Sequence, residues 1–283
     1  MRASDRTRAD TGRENISSER KRLKPRRLFL PPHELAGQNA ILFSPKDTHY
    51  LRAVLRLQTG DRVEVFDGIA RYAVRLGALR GGRLQGDIVE ACITEHGPRV
   101  RIALAFACVR PAPFQEILRH GTELGVAQFI PLLTQRTTRR PTEKRERWES
   151  IVRSACAQSG RCVPPQVEDP LTLEQLICRG IHEETRLLLS PAVEAFPLLG
   201  LLREASPRNA VVLVGPEGGL EPSEESLAKD AGFVPASLGT AILRTETAAA
   251  IAVGMLSLWA HWECCRETES PLPAKVEASA AEE

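Results

Sequence analysis

Apolar positions along this chain change rhythm near residue 97. Upstream, Val, Leu, Ala and aromatic residues alternate with polar ones over 62–66, 71–79 and 83–91. A period of two is the signature of a half-buried strand. Asp67-Gly68 and Gly81-Gly82 supply tight turns between these runs. Order is expected to begin near Arg27-Leu28-Phe29-Leu30. Ser44-Pro45 reads as an N-cap followed by a first-turn proline, opening a helix that carries His49, Tyr50, Leu51, Val54 and Leu55. Short strands joined by tight turns predict a small β-barrel-like module over residues 27–97.

Downstream of Gly97-Pro98 the pattern lengthens. Residues 100–109 form a nearly continuous apolar run, as expected of a strand buried on both faces. A helix is predicted over 114–124, a strand over 129–133 and a long helix over 143–158. Further strands are expected at 186–189, 211–214 and 234–238, and a last helix at 245–259. Strands alternating with helices predict an α/β domain with a largely parallel sheet covered on both faces. That domain is assigned to residues 98–264.

Composition narrows the class. At 283 residues, 42% hydrophobic and 26% charged, the chain has material for about two ordinary domains. Net charge is only +2, but it is unevenly spread. Residues 1–26 are rich in arginine and lysine, and residues 265–283 are acidic and alanine-rich; both read as disordered tails. A basic start fits a nucleic-acid partner as well as a merely solvated tail. No secretory signal is visible, and no apolar run reaches the ~18 residues that span a bilayer, so a cytoplasmic location is expected. The seven cysteines include no Cys-x-x-Cys pair, which argues against a structural zinc site, and no metal is expected.

Two segments carry candidate chemistry. Val211-Val212-Leu213-Val214 runs into Gly215-Pro216-Glu217-Gly218-Gly219-Leu220, and Glu221-Pro222-Ser223 opens another helix. Ser237-Leu238-Gly239 is followed by Ile242-Leu243-Arg244 and a helix that begins Thr245-Glu246-Thr247. Ligands of open parallel sheets bind beyond the carboxyl ends of strands, where glycine lets backbone approach closely. The first loop lacks the lysine of a phosphate-binding loop, and Glu217 would repel phosphate. Each segment by itself is equally a tight strand–helix turn or a capped helix with an exposed arginine. Together, on neighbouring strands, they would make one pocket of backbone amides and carbonyls. Such a pocket suits an adenine ring with a sulfonium tail better than a triphosphate.

The combination Gly215-Pro216-Glu217-Gly218-Gly219, Leu238-Gly239 and Ile242-Leu243-Arg244-Thr245-Glu246-Thr247-Ala248 resembles the SPOUT methyltransferase superfamily. It is most similar to the ribosomal RNA small-subunit methyltransferase E family. Glu123-Leu124-Gly125-Val126, Arg147-Trp148, Gln158-Ser159-Gly160-Arg161 and Arg27-Leu28-Phe29 agree with that family, so the resemblance spans roughly residues 27–262. His120 and Arg110-Pro111-Ala112-Pro113 depart from it, standing where the family carries other cationic residues.

The resemblance implies a PUA-like β-barrel followed by a trefoil-knotted methyltransferase domain. It implies S-adenosylmethionine as methyl donor and N3 of a uridine in small-subunit ribosomal RNA as acceptor, within the assembled subunit. It also implies a homodimer. The donor pocket would be lined by Leu189, Gly215, Pro216, Glu217, Gly218, Gly219, Ser237, Leu238, Gly239, Ile242, Leu243, Arg244 and Thr245. Arg244 is expected to offset charge on the uracil or to hold its phosphate, and Glu217 or Glu246 to take the N3 proton or orient the ring. The RNA surface is expected to draw on Arg27, His49, Arg52 and Arg56 from the first domain. From the second it would draw on Arg136, Arg139, Arg140 and Arg161. Other readings of the same residues are a different acceptor, such as a ribose hydroxyl or a guanine, and a non-catalytic RNA-binding or ribosome-assembly factor. A nucleotide-phosphate enzyme is disfavoured by the missing loop lysine.

Overall fold

The computed structural model describes residues 26–31, 35, 39–93, 99–137, 145–192, 194–205 and 207–267. Most of both expected tails, the change of rhythm at residue 97, and Arg139 and Arg140 lie outside the described residues. The described chain divides into two compact units. One contains the residues up to 66 and 71–92, and the other contains 67–70 and those from 93 onward.

The first unit is a five-stranded mixed sheet in the order β1-β3-β4-β5-β2. Its strands are β1 (Arg27–Phe29), β2 (Ala40–Leu42), β3 (Arg62–Phe66), β4 (Ala70–Arg80) and β5 (Arg83–Ile93). β1 lies parallel to β3, and the β3–β4 and β2–β5 pairs are antiparallel. The alternation seen in the sequence is the cause: Val63, Val65, Val74, Leu76 and Leu84 point inward onto Leu28, Ile41, Phe43 and Leu51. The Asp67 carboxylate accepts from the Ile69 and Ala70 amides, each at 2.8 Å, and so fixes the β3–β4 turn. Ser44 caps α1 (Pro45–His49), its hydroxyl accepting from the Asp47 amide at 3.1 Å. The expected helix then changes pitch into a π-helical turn over Tyr50–Val54. Short β2 was not foreseen; three residues are too few to establish a period.

The second unit is a seven-stranded, wholly parallel sheet in the order β10-β12-β9-β11-β6-β7-β8. The strands are β6 (Arg101–Ala107), β7 (Val126–Leu132), β8 (Gln166–Val167), β9 (Thr185–Leu189), β10 (Phe196–Pro197), β11 (Asn209–Val214) and β12 (Val234–Ser237). The helices are α2 (Pro111–Leu124), α3 (Arg145–Ser159), α4 (Leu173–Cys178), α5 (Leu198–Ala205), α6 (Pro222–Asp230) and α7 (Thr245–Glu267). Central β6 and β11 are buried along nearly their whole length, which explains their unbroken apolar runs. One face packs Ala103, Ala105, Val211 and Leu213 against Leu173 and Leu176 of α4 and Ala228 of α6. On the other face, Phe106 and Trp148 both stack on Phe114, with ring centroids 5.1 and 4.7 Å away.

Several boundaries differ from expectation for local reasons. α2 begins at Pro111 rather than 114, because prolines in a first turn forgo no intrahelical bond. α7 extends past Trp259 into what read as the acidic tail. No glycine or proline interrupts 260–267, and Trp259, Trp262 and Arg266 stack along it. The short helices α4 and α5 escaped the periodicity argument altogether.

Candidate functional site

Both glycine-bearing bends follow strands of the second unit, β11 buried and β12 largely half-exposed. β11 delivers Val214 into Gly215-Pro216-Glu217-Gly218-Gly219, where the Gly219 amide donates to the Pro216 carbonyl at 2.8 Å. Gly219 adopts φ +74°, open at low cost only to a residue without a Cβ. β12 ends at Ser237, whose hydroxyl accepts from the Gly239 amide at 3.2 Å. Gly239 stands at φ +121°, and the Arg244 carbonyl then accepts from the Ala248 amide to start α7.

The bends meet, though not as neighbouring strands. β9 lies between β11 and β12, and the two loops close over its end. The closing contact is Thr245, only 3% exposed, whose hydroxyl donates to the Gly215 carbonyl at 3.1 Å.

A cleft opens between them. Leu188, Leu189, Ser190 and Pro191 form its floor, and Val214, Gly215, Pro216, Glu217, Gly219, Leu220 and Glu225 one wall. Ala236, Leu238, Gly239, Ala241, Ile242, Leu243, Thr245 and Ala248 form the other. Ten of the residues expected at a donor pocket therefore line one space: Leu189, Gly215, Pro216, Glu217, Gly219, Leu238, Gly239, Ile242, Leu243 and Thr245. Gly218, Ser237 and Arg244 do not line it. Sequence reasoning missed Ser190-Pro191, a turn pair directly after β9, and Ala248, which follows Thr245 by one helical step. It also missed Glu225.

The lining contains two carboxylates, Glu217 and Glu225, and no lysine, arginine or histidine. Apart from the Ser190 and Thr245 hydroxyls, the rest is apolar side chain and backbone. Such a surface accepts a flat heterocycle and a cationic centre and rejects polyphosphate. Ile242 is 86% exposed at this cleft, an apolar side chain without cover among the described residues. Arg244 and Glu217 are exposed and Glu246 is half-buried; none of the three makes a side-chain hydrogen bond or ion pair among the described residues.

The glycine-rich loop is also held by the segment after β7. The Arg136 guanidinium donates to the Glu221 carboxylate at 2.7 Å and to the Gly218 carbonyl. The Gln135 amide donates to Glu224 Oε1 at 2.9 Å, and Glu224 Oε2 accepts from the Glu221 amide at 2.9 Å. Glu224 is 4% exposed, so these bonds compensate a buried carboxylate.

The expected RNA residues fall into two groups. In the first unit His49, Arg52 and Arg56 are exposed around one short helical segment, with Arg56 at φ +55°. Arg27 instead pairs with Glu64 at 3.2 Å. In the second unit, Arg136 is engaged as above. Arg161 is half-buried and donates to the Thr122 carbonyl at 3.1 Å; its burial lowers the guanidinium's pKa from the ordinary value. Arg27, Arg136 and Arg161, all expected on the RNA surface, thus also hold oxygen atoms of the protein itself. Among the described residues no group of three His, Cys, Asp or Glu is arranged to hold a metal ion.

The chain matches the RNA methyltransferase domain model over residues 96–257 and the RNA methyltransferase PUA domain model over residues 43–75. It is 37% identical to the ribosomal RNA small subunit methyltransferase E of Synechocystis sp., a match covering 82% of this chain and 77% of that one. Its likeness to the enzyme of the same name from Aquifex aeolicus is 31%, over 79% and 96% of the two chains. It is also similar to the crystal structure of ribosomal RNA small subunit methyltransferase E from Neisseria gonorrhoeae bound to S-adenosyl methionine. There the TM-score is 0.74 and the identity 32%, covering 83% of this chain and 98% of that one. With the sheet order, the two closed bends and these matches in agreement, the chain belongs to the ribosomal RNA small subunit methyltransferase E family.

Proposed function

We propose that this protein transfers the methyl group of S-adenosylmethionine to N3 of a uridine in 16S ribosomal RNA of the small subunit. The observation that carries the reading is the Thr245–Gly215 hydrogen bond, which unites two glycine bends around one cleft at the carboxyl ends of β11, β9 and β12. The apolar side chains of Leu188, Val214, Leu238 and Leu243 suit an adenine, and Glu217 and Glu225 suit the donor's positive charges. The donor supplies an electrophilic methyl carbon on a sulfonium. A relative named as the same enzyme holds that donor.

The reaction is a displacement: a bond forms from N3 to the methyl carbon, the carbon–sulfur bond breaks, and S-adenosylhomocysteine leaves. The N3 proton must go to a base. Glu217, which lines the cleft, and Glu246, in the first turn of α7, are the carboxylates within the two bends. Arg244 has an unengaged guanidinium at the same junction and supplies positive charge toward a uracil oxygen or phosphate. Much of the rate then comes from alignment of nitrogen, carbon and sulfur. N3 lies on the Watson–Crick edge, so the target base must be unpaired or flipped. His49, Arg52 and Arg56 offer exposed cations for RNA phosphates.

The working form is a homodimer. Ile251, Met255, Leu258 and Trp262 recur at four- and three-residue steps along α7 and form one apolar stripe; Ile251, Leu258 and Trp262 are 40%, 71% and 43% exposed. We place its activity in the cytoplasm with the small subunit; among the described residues no helix is long and apolar enough to cross a membrane.

The decisive experiment is calorimetric titration with S-adenosylmethionine, followed by mass-spectrometric mapping of methyl groups on small subunits that lack the modification. Donor binding with one N3-methyluridine is expected. Absence of donor binding, or a methyl group on ribose or guanine, overturns the reading.

A further inference from the structure

The glycine-rich loop of residues 215–220 has one internal backbone bond, Gly219 to Pro216, and three glycines that widen its conformational range. A loop so constituted would lose much entropy on closing around a ligand. Yet it is ordered from outside, by a segment two strands away. β6 lies between β11 and β7, and the Thr134–Thr137 turn after β7 reaches across its end. That turn is itself fixed. The Thr134 amide donates to the Thr137 hydroxyl at 2.9 Å, and the Thr137 amide returns to the Thr134 carbonyl at 3.0 Å.

From this base Arg136 spreads its fork over both the Gly218 carbonyl and the Glu221 carboxylate. Gln135 reaches the Ser223 hydroxyl at 3.3 Å and, through its amide, the buried Glu224 carboxylate. Arg136 does not line the cleft. It holds the loop at Gly218 and Glu221, neither of which lines the cleft.

We propose that Arg136 is a positioning residue for the methyl-donor loop, and not the RNA contact that a surface arginine suggests. The inference rests on the donor reading given above. The fork pre-forms the loop, so that the ordering cost is met on folding and not on binding. Only a planar, two-pronged cation spans a carbonyl and a carboxylate together. A lysine preserves the charge but loses one of the two bonds.

The test is calorimetry with S-adenosylmethionine on the full chain and on Arg136→Ala, Arg136→Lys, Glu221→Ala and the Arg136→Ala/Glu221→Ala double variant. Binding of a small-subunit ribosomal RNA fragment at fixed salt and amide hydrogen exchange of the unliganded proteins complete it. Thermal melting verifies that each variant folds. Both Arg136 variants should weaken donor binding about tenfold, the scale of one charge-assisted hydrogen bond. Exchange at Gly218–Glu221 should quicken and RNA affinity stay unchanged. The double variant should be no worse than the poorer single one, because both partners serve one interaction. Full donor affinity in Arg136→Lys, or an Arg136→Ala variant that loses RNA affinity alone, overturns the proposal. If the unaltered chain takes no donor, the methyl-donor reading fails before any variant is made, and the clamp's role falls with it. If the unaltered chain binds donor but exchange at the loop is indifferent to Arg136, the clamp alone is wrong.

Discussion

The Thr245 hydroxyl and the Arg244 guanidinium stand side by side in the chain and do different work. Thr245 is buried, and its donation to the Gly215 carbonyl ties the second bend to the first. Thr245→Val keeps the shape and removes the donor, leaving that carbonyl with one partner fewer. Donor affinity should fall about tenfold, from the cost of one unmade buried hydrogen bond, as read by calorimetry. Arg244 lines no part of the cleft and is exposed. Arg244→Ala should therefore lower kcat on the small subunit by about a hundredfold or more while leaving donor affinity nearly intact, as expected when an interaction is made only in the transition state. Equal losses in both would place Arg244 in donor binding instead. Cys108 and Cys156 are buried thiols whose pKa values burial pushes up from 9.0 to about 12 and about 11. Well below pH 9 both stay protonated in folded and unfolded chains, and the stability they confer is complete. Between 9.0 and about 12 the unfolded chain releases the Cys108 proton while the folded one retains it, so stability declines as pH rises. Urea unfolding across that window should show the decline, and Cys108→Ala should make it shallower, leaving the share that Cys156 carries.

At the scale of elements, tight backbone approach is what the second unit depends on. A Cβ built on Gly121 of α2 would stand 2.6 and 2.8 Å from the Phe129 ring on β7. Gly121→Ala should destabilise the fold by about 1–3 kcal/mol through overpacking, seen as a lowered Tm. Elements with long or strongly alternating patterns were legible from sequence: β3 matches its expected span, and β6, β11 and α3 fall within a few residues of theirs. Their residues bury on a regular period, and period is what a sequence displays. β2, β8 and β10 have two or three residues each and display none. α4 did carry a signal, since Thr172 and Gln175 form a reciprocal cap, but its six residues hold too few apolar steps to announce a helix. The candidate site was legible where glycine signatures marked it. It was illegible at Ser190 and Ala236, which reach the cleft through sheet order, and sheet order is set by pairing between distant segments. The engagement of Arg27, Arg136 and Arg161 was hidden for the same reason: their partners lie 37, 85 and 39 residues away.

For the whole molecule, the α7 stripe makes the oligomeric state testable. Leu258→Asp places a charge where an apolar contact between two copies is proposed. The unaltered 31.1-kDa chain should sediment as a dimer and the variant as a monomer. A monomeric unaltered chain would remove α7 from that role. The position of β9 carries a consequence of another kind. It precedes β11 and β12 in the chain but stands between them in the sheet, so neither partner strand can find its place until the chain beyond it has been made. The catch that shuts the cleft comes later still, at Thr245. During synthesis, then, the cleft has no half-built version with partial grip. Its first wall exists without its second until Thr245 has emerged, and the ability to hold the small cationic ligand arrives only with α7.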